Sequence, residues 1–266
     1  MIPKRIHYCW FGRGEKPKLA EKCITSWKKY CPDYEIFEWN EDNFDIESCP
    51  LYVKQAYAEK KWAFVTDYVR LKVVCEHGGI YMDTDVELIK SLDSLLNNKA
   101  YFGFENRKYV NTGIGFGAEK GNEILVDMMS EYEDISFVFP DGSYNLITCP
   151  YRNTKVLEKY GLKQNGKKQI LETDVLILPS IYFCPISYRT GNMRKSQKTI
   201  SIHWFSASWK RSTILVESLV ERKEEHRKEQ RLNSKNAFKH YIRTKWGNKG
   251  DIFIKCISNI KNIHKK

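Results

Sequence analysis

The sequence predicts an α/β protein: a mostly parallel central sheet flanked by helices, followed by a basic helical extension. Three observations carry that expectation. Strand, helix and strand patterns follow one another within the first forty residues, an order that favours parallel pairing across a helical crossover. Short apolar strand patterns then alternate with helical ones as far as residue 204. Charge, finally, is concentrated in the last fifth of the chain.

The elements follow in order. Residues 4–10 read as a strand and Phe11-Gly12-Arg13-Gly14 as a loop. Leu19, Cys23 and Trp27 recur at helical spacing, which places a helix over residues 18–30. Residues 34–39 alternate like a half-buried strand. Residues 51–76 are helical in two pieces, ended by Gly78-Gly79. Ile80-Tyr81-Met82 is a short apolar strand that runs into Asp83-Thr84-Asp85, and Val86-Glu87-Leu88-Ile89 continues as strand. Residues 91–97 form a short helix or turn, and residues 101–104 another strand. The stretch 111–117 is Gly-rich and lacks the spacing of either phosphate-binding fingerprint. Helices are expected from Asn122 to Tyr132 and over 150–160, with later strands at 174–178 and 199–204. Phe102, Phe104 and Phe116 are expected in the core, and the region 118–198 is expected to shape one wall of the site.

Composition narrows the class. With 42% apolar and 29% charged residues among 266, the chain is a folded one. No window reaches the run of about 20 apolar residues that spans a bilayer. Met1-Ile2-Pro3-Lys4-Arg5 and the short apolar run ending at Trp10 lack the apolar core and cleavage site of a secretory leader. The expected compartment is the cytoplasm. The eight cysteines are scattered, with no C-x-x-C pair, and are read as free, partly buried thiols.

Residues 210–266 hold 16 Lys+Arg against 6 Asp+Glu, whereas residues 1–209 hold 28 against 27. Nearly all of the net charge of +11 therefore lies in the tail, which argues against generic nucleic-acid binding by the body. Leu215, Val216, Leu219 and Val220 form one helical stripe, and Phe238, Tyr241, Ile242 and Trp246 recur among lysines and arginines. Two compatible readings follow: helices packed on the core or on a partner subunit, and a peripheral contact with an anionic membrane surface. The expected division is 1–210 for the main domain and 211–266 for the basic amphipathic extension.

The strongest chemical signal is Asp83-Thr84-Asp85, two carboxylates at the end of an apolar strand preceded by a double glycine. Carboxylate oxygens are the ligands that a hard divalent cation takes, and a diphosphate completes its shell. Upstream, Asp67 and Arg70 stand i, i+3 on one helical face in a mostly apolar stretch. They read as a partly buried ion pair, or as an acceptor for sugar hydroxyls beside a cation for phosphate.

These motifs carry a resemblance. The opening Ile2-Pro3-Lys4-Arg5-Ile6-His7-Tyr8-Cys9-Trp10-Phe11-Gly12, the segment 63–70, the segment Gly78-Gly79-Ile80-Tyr81-Met82-Asp83-Thr84-Asp85, the triplet Asn111-Thr112-Gly113 and the segment His203-Trp204-Phe205-Ser206-Ala207-Ser208-Trp209 resemble, in order, the DXD-containing glycosyltransferases. That family includes capsular polysaccharide synthesis enzymes and, more distantly, yeast-type α-mannosyltransferases and clostridial glucosylating toxins. The resemblance implies a GT-A fold and a retaining hexosyltransferase that uses a nucleotide-diphosphate sugar, with UDP the family-weighted nucleotide, and a divalent ion, Mn2+ or in its place Mg2+. It further implies that Trp10 stacks on the base and that Asp67 and Arg70 hold the donor sugar and diphosphate. Asp83 would contact ribose, sugar or metal, Asp85 would ligate the metal with His203 as second ligand, and Ser208 and Trp209 would meet the β-phosphate. Asn111, Thr112 and Gly113 would line the acceptor side. The acceptor expected is a lipid-linked precursor of a surface glycan, capsule or lipopolysaccharide, met at the inner face of the cell membrane.

Two other classes also fit parts of the pattern. A metal-dependent phosphodiester or pyrophosphate hydrolase would want acidic residues beside a strand, but usually more ligands than Asp83, Asp85 and His203. A non-catalytic basic binding module would need no metal and would bind nucleic acid with strong salt dependence.

Overall fold

The computed structural model describes residues 1–187 and 190–206. Its main feature is a seven-stranded sheet. In chain order the elements are β1 (Arg5–Cys9), α1 (Lys18–Tyr30), β2 (Glu35–Trp39), α2 (Leu51–Ala58), α3 (Trp62–His77), β3 (Gly79–Tyr81), β4 (Val86–Leu88), β5 (Ala100–Gly103), β6 (Phe116–Ala118), α4 (Glu123–Ser130), α5 (Cys149–Lys159), β7 (Gln169–Ile170), β8 (Val175–Leu178) and β9 (Ser201–His203). The sheet order is β2-β1-β3-β6-β5-β8-β7.

Pairing is parallel for β1 with β2, β1 with β3, and β5 with β8. It is antiparallel for β3 with β6, β5 with β6, and β7 with β8. Five of the seven strands thus run one way, with β6 and β7 reversed. The mostly parallel α/β architecture is the expected one. The sequence expectation differs on two strands: β6 begins within the stretch read only as Gly-rich, and β7 is not foreseen. β6 is hidden because Gly117 offers no side chain to the pattern. A Cβ there would stand 2.7 Å from the Tyr101 ring, so the glycine makes room for Tyr101 on the adjacent β5.

Helices cover both faces. Tyr8 packs edge-on against Trp27 of α1, with ring centroids 5.5 Å apart, and the Trp27 indole donates to the Val86 carbonyl at 2.7 Å. The opposite face of the sheet carries Cys9, Tyr81, Phe102, Phe116 and Ile177, which join one hydrophobic cluster with α2, α3, α4 and α5. Phe102, Phe104 and Phe116 are fully buried, as expected. The seven described cysteines are free and buried; Cys256 lies outside the described residues.

α3 is the central helix. It is apolar on most of its circumference, with Val65, Val69, Leu71, Val73 and Val74 all at 0% exposure, so it must be surrounded. Its burial carries Asp67 and Arg70 inward with it. Gly78 and Gly79 then turn the chain straight into β3 at φ of +66° and +117°, values that side chains resist. The imidazole of His7 on β1 donates to the Gly78 carbonyl at 2.9 Å and fixes that turn to the sheet.

β4 does not extend β3. It pairs with β9 in a separate two-stranded sheet, with Val86 opposite His203. No helix among the described residues is long and apolar enough to cross a membrane. The tail from 211 to 266 lies outside the described residues, and so does the boundary expected at 210.

Candidate active site

Because β1, β3 and β5 run the same way, the residues that follow them lie along one edge of the sheet. In open α/β sheets that carboxyl edge is where ligands bind. Trp10 follows β1, Asp83 and Asp85 follow β3, and Glu105 follows β5.

The acidic pair splits into two environments. Asp83 receives the Tyr81 hydroxyl on Oδ1 at 3.0 Å and lies 3.2 Å from Nη2 of Arg70. The same Nη2 is 3.3 Å from Oδ1 of Asp67. Arg70 is therefore a buried bridge between two carboxylates. Its Nε also donates to the Thr66 carbonyl at 3.0 Å, Nη2 to the Thr66 hydroxyl at 3.2 Å and Nη1 to Sγ of Cys149 at 3.6 Å. Burial pushes the Asp67 carboxyl above its ordinary range, with Arg70 opposing. Desolvation also raises Asp83, against Arg70 and with Asp85 adding to it. Arg70 stays cationic, since the charges of Asp83 and Asp67 outweigh its burial.

Asp85 faces the other way. The antiparallel register that sets Val86 against His203 brings the His203 Nε2 to 3.3 Å from Oδ1 of Asp85. Ser206 donates its backbone N–H and its hydroxyl to Oδ2 at 2.8 and 2.9 Å. Burial opposes the charge on Asp85, but His203 and Ser206 overcome it and hold the carboxyl down at about 2. His203 is pushed up in turn by Asp85, against its own burial.

Asp85 and His203 could serve a divalent ion as two ligands once the imidazole gives up its proton. Two ligands about 2.0–2.1 Å from an octahedral cation stand roughly 3 Å apart, close to the Asp85–His203 separation. Among the described residues no group of three or more His, Cys, Asp or Glu side chains is set to enclose a metal. Its other positions would fall to water or ligand phosphate, as such ions usually require.

The family comparison completes the picture. Residues 17–102, from the start of α1 through β5, match the family described as a glycosyltransferase sugar-binding region containing a DXD motif. Asp83-Thr84-Asp85 is that triplet, at the sheet edge. Over that stretch, about a third of its length, the chain is similar to the DXD-containing glycosyltransferases.

Proteins similar to this chain include inositol phosphoceramide mannosyltransferase 3 of Schizosaccharomyces pombe, 27% identical over 51% of this chain and 38% of that protein. An uncharacterized glycosyltransferase of Acanthamoeba polyphaga mimivirus is 26% identical over 58% of this chain and 79% of its own. The chain thus spans well under half of the yeast protein. Among solved structures, the PaToxG glycosyltransferase is 22% identical with a TM-score of 0.48, over 59% of this chain and 69% of that one. A glycosyltransferase involved in glycosylation of the major capsid of PBCV-1 is 14% identical with a TM-score of 0.42, over 82% and 98%.

The structure brings Asp67, Arg70, Asp83, Asp85 and His203 together. Trp10, just past β1, is half-buried, its indole donating to the Gly14 carbonyl at 2.6 Å, with the Lys16 ammonium 5.7 Å from the ring. It borders a cavity of about 270 Å³ shared with Arg13, Glu38 and Asn40. Gly113 packs directly on the site: a Cβ there would stand 2.2 Å from Oδ2 of Asp83 and 2.9 Å from Nη1 of Arg70. Asn111 donates Nδ2 to Glu105 at 2.6 Å and accepts from the Gly113 N–H at 2.7 Å. Thr112 departs from the expected acceptor contact. It is fully buried and its hydroxyl accepts from Asn153 at 2.9 Å, so it braces the loop from beneath. Ser208 and Trp209 lie outside the described residues. Sequence reasoning did not single out Glu105 or Cys149. Neither sits in a motif, and only the strand order and the docking of α5 bring them to the site.

Proposed function

We infer that this chain is a glycosyltransferase that moves a sugar, with retention, from a UDP-sugar to a glycan acceptor carried on a lipid, in the making of a surface polysaccharide. The observation that supports it is the pairing of Asp85 with His203 beside the Asp67–Arg70–Asp83 bridge, all at the carboxyl edge of the sheet. Mn2+, or Mg2+ in its place, would be held by Asp85 and His203, and when bound it would neutralise charge on the departing diphosphate. Asp67 would accept donor sugar hydroxyls, and Asp83 would accept from ribose or sugar. Arg70, paired with Asp67 and Asp83 and bonded to Thr66 and Cys149, would hold both carboxylates in place. Trp10 would offer its ring to the base, and Ser208 and Trp209 would donate to the β-phosphate. The lipid acceptor draws support from the yeast relative, whose name is that of an enzyme acting on inositol phosphoceramide.

The test is donor turnover. The purified chain is incubated with UDP- and GDP-sugars and Mn2+, and released nucleotide is measured. Turnover of one or more UDP-sugars is expected, with a fall of about two to three orders of magnitude in Asp85→Asn. Turnover that persists unchanged after chelation with EDTA would overturn the metal role, and none with any UDP-sugar would overturn the donor.

A further inference from the structure

Glu105 is a carboxylate at the sheet edge with no assigned role. Asn111 donates to its Oε2 at 2.6 Å, and no described residue takes Oε1. The side chain is half-buried and anchored by a neighbour that itself touches the site: Asn111 also bonds Gly113, which packs on Asp83. The chain then makes a tight loop, closed by the Glu105 N–H donating to the Tyr109 carbonyl at 2.9 Å. The ring of Tyr109 meets that of Tyr151 with centroids 6.5 Å apart and planes at 53°. Tyr151 stands in the first turn of α5 and is 45% exposed. Two residues earlier, Cys149 accepts from Arg70 at 3.6 Å and lies 3.9 Å from Oδ1 of Asn111. The Val110 N–H donates to the Thr154 hydroxyl at 2.9 Å, which locks the loop to α5.

A half-buried carboxylate with one oxygen taken by no described residue, on the same tight loop as a tyrosine whose ring meets Tyr151, has a definite complement. A carboxylate only accepts hydrogen bonds, and a pyranose ring offers several hydroxyl donors. Tyrosine faces pack on the C–H face of such a ring, while their hydroxyls stay in water. Neither tyrosine is buried in the core: Tyr109 is half-buried, with the Lys108 ammonium 5.1 Å from its ring centroid, and Tyr151 is 45% exposed.

We propose that Glu105, Tyr109 and Tyr151 form the acceptor subsite, which takes a pyranose with its hydroxyls on Glu105 and a ring face against the tyrosines. The assignment rests on the transferase reading above. It makes Asn111 a positioning residue, one that reaches the acceptor through Glu105.

The experiment separates the two readings because it uses neither donor nor metal. Ligand-observed saturation-transfer NMR is run on the full chain with methyl glycosides of glucose, galactose, mannose and N-acetylglucosamine. Saturation of the ring protons of at least one glycoside is expected. Tyr151→Ala and Glu105→Gln, each checked for cooperative thermal unfolding, are expected to weaken that binding about tenfold. Val126→Ala, on the exposed face of α4, serves as the surface control and is expected to bind as the unaltered chain does. No saturation of any glycoside, undiminished binding in both subsite variants, or an equal loss in the control would each overturn the subsite. Failure of the transferase reading would show separately, as absent turnover of UDP-sugars.

Discussion

Gly113 shows how a residue without a side chain supports one with a charge. Its Cα lies so close to Asp83 and Arg70 that a methyl group would overlap the carboxylate. Gly113→Ala must therefore move Asp83, and strain of this kind costs about 1–3 kcal/mol. The expected outcome is a modest fall in the urea midpoint with a much larger loss of donor turnover. A variant with normal turnover would show that Asp83 is not held for catalysis. Arg70 poses the opposite case. It is 3% exposed and serves two carboxylates, so its removal leaves buried negative charge unopposed. Arg70→Met is expected to lose about 3–5 kcal/mol, read by urea denaturation. Arg70→Lys should recover only part, because a single ammonium cannot reproduce a fork that reaches Asp67, Asp83, Thr66 and Cys149.

At the level of elements, the join between α3 and β3 decides where the acidic triplet falls. Two left-handed glycines turn the chain, and His7 of β1 clasps the Gly78 carbonyl while the Trp39 indole donates to its Nδ1 at 3.2 Å. Burial lowers the His7 pKa from 6.5 to about 4, the bond to Gly78 notwithstanding. The folded form thus holds His7 neutral where the unfolded chain would bind a proton. Stability from this group is full above pH 6.5 and falls as pH drops from 6.5 towards 4, by an amount on the order of 3 kcal/mol. Urea unfolding at stepped pH should show that slope, and His7→Gln, which can still donate to Gly78, should flatten it. An unchanged slope would place the acid sensitivity elsewhere. The helices were legible from period alone: the apolar spacing of α1 set its bounds at 18–30. β6 was not, since a three-residue strand with a central glycine has no period to read.

For the whole molecule, the charge asymmetry is the property with the widest consequence. A body of nearly balanced charge bears a tail with +10. Basic residues near an anionic surface contribute about 1 kcal/mol each, so the tail alone would hold the chain on such a membrane. Removing residues 212–266 is expected to abolish co-flotation with phosphatidylglycerol-containing liposomes at low salt and leave turnover of soluble UDP-sugar intact. Flotation that survives the truncation would assign the membrane contact to the body.

The acidic triplet, the Asp67–Arg70 pair and the order of strands and helices follow from local rules of period, spacing and turn chemistry, which a sequence displays directly. The placement of His203 against Asp85 does not. Residues so far apart meet only because β9 pairs with β4 in one register. The same holds for Glu105, whose place beside Asn111 depends on β5 lying two strands from β3 in the same direction. Local pattern specifies which groups a strand end can offer. Long-range strand pairing and helix docking, driven by burial of the whole core, specify which of those groups face one another.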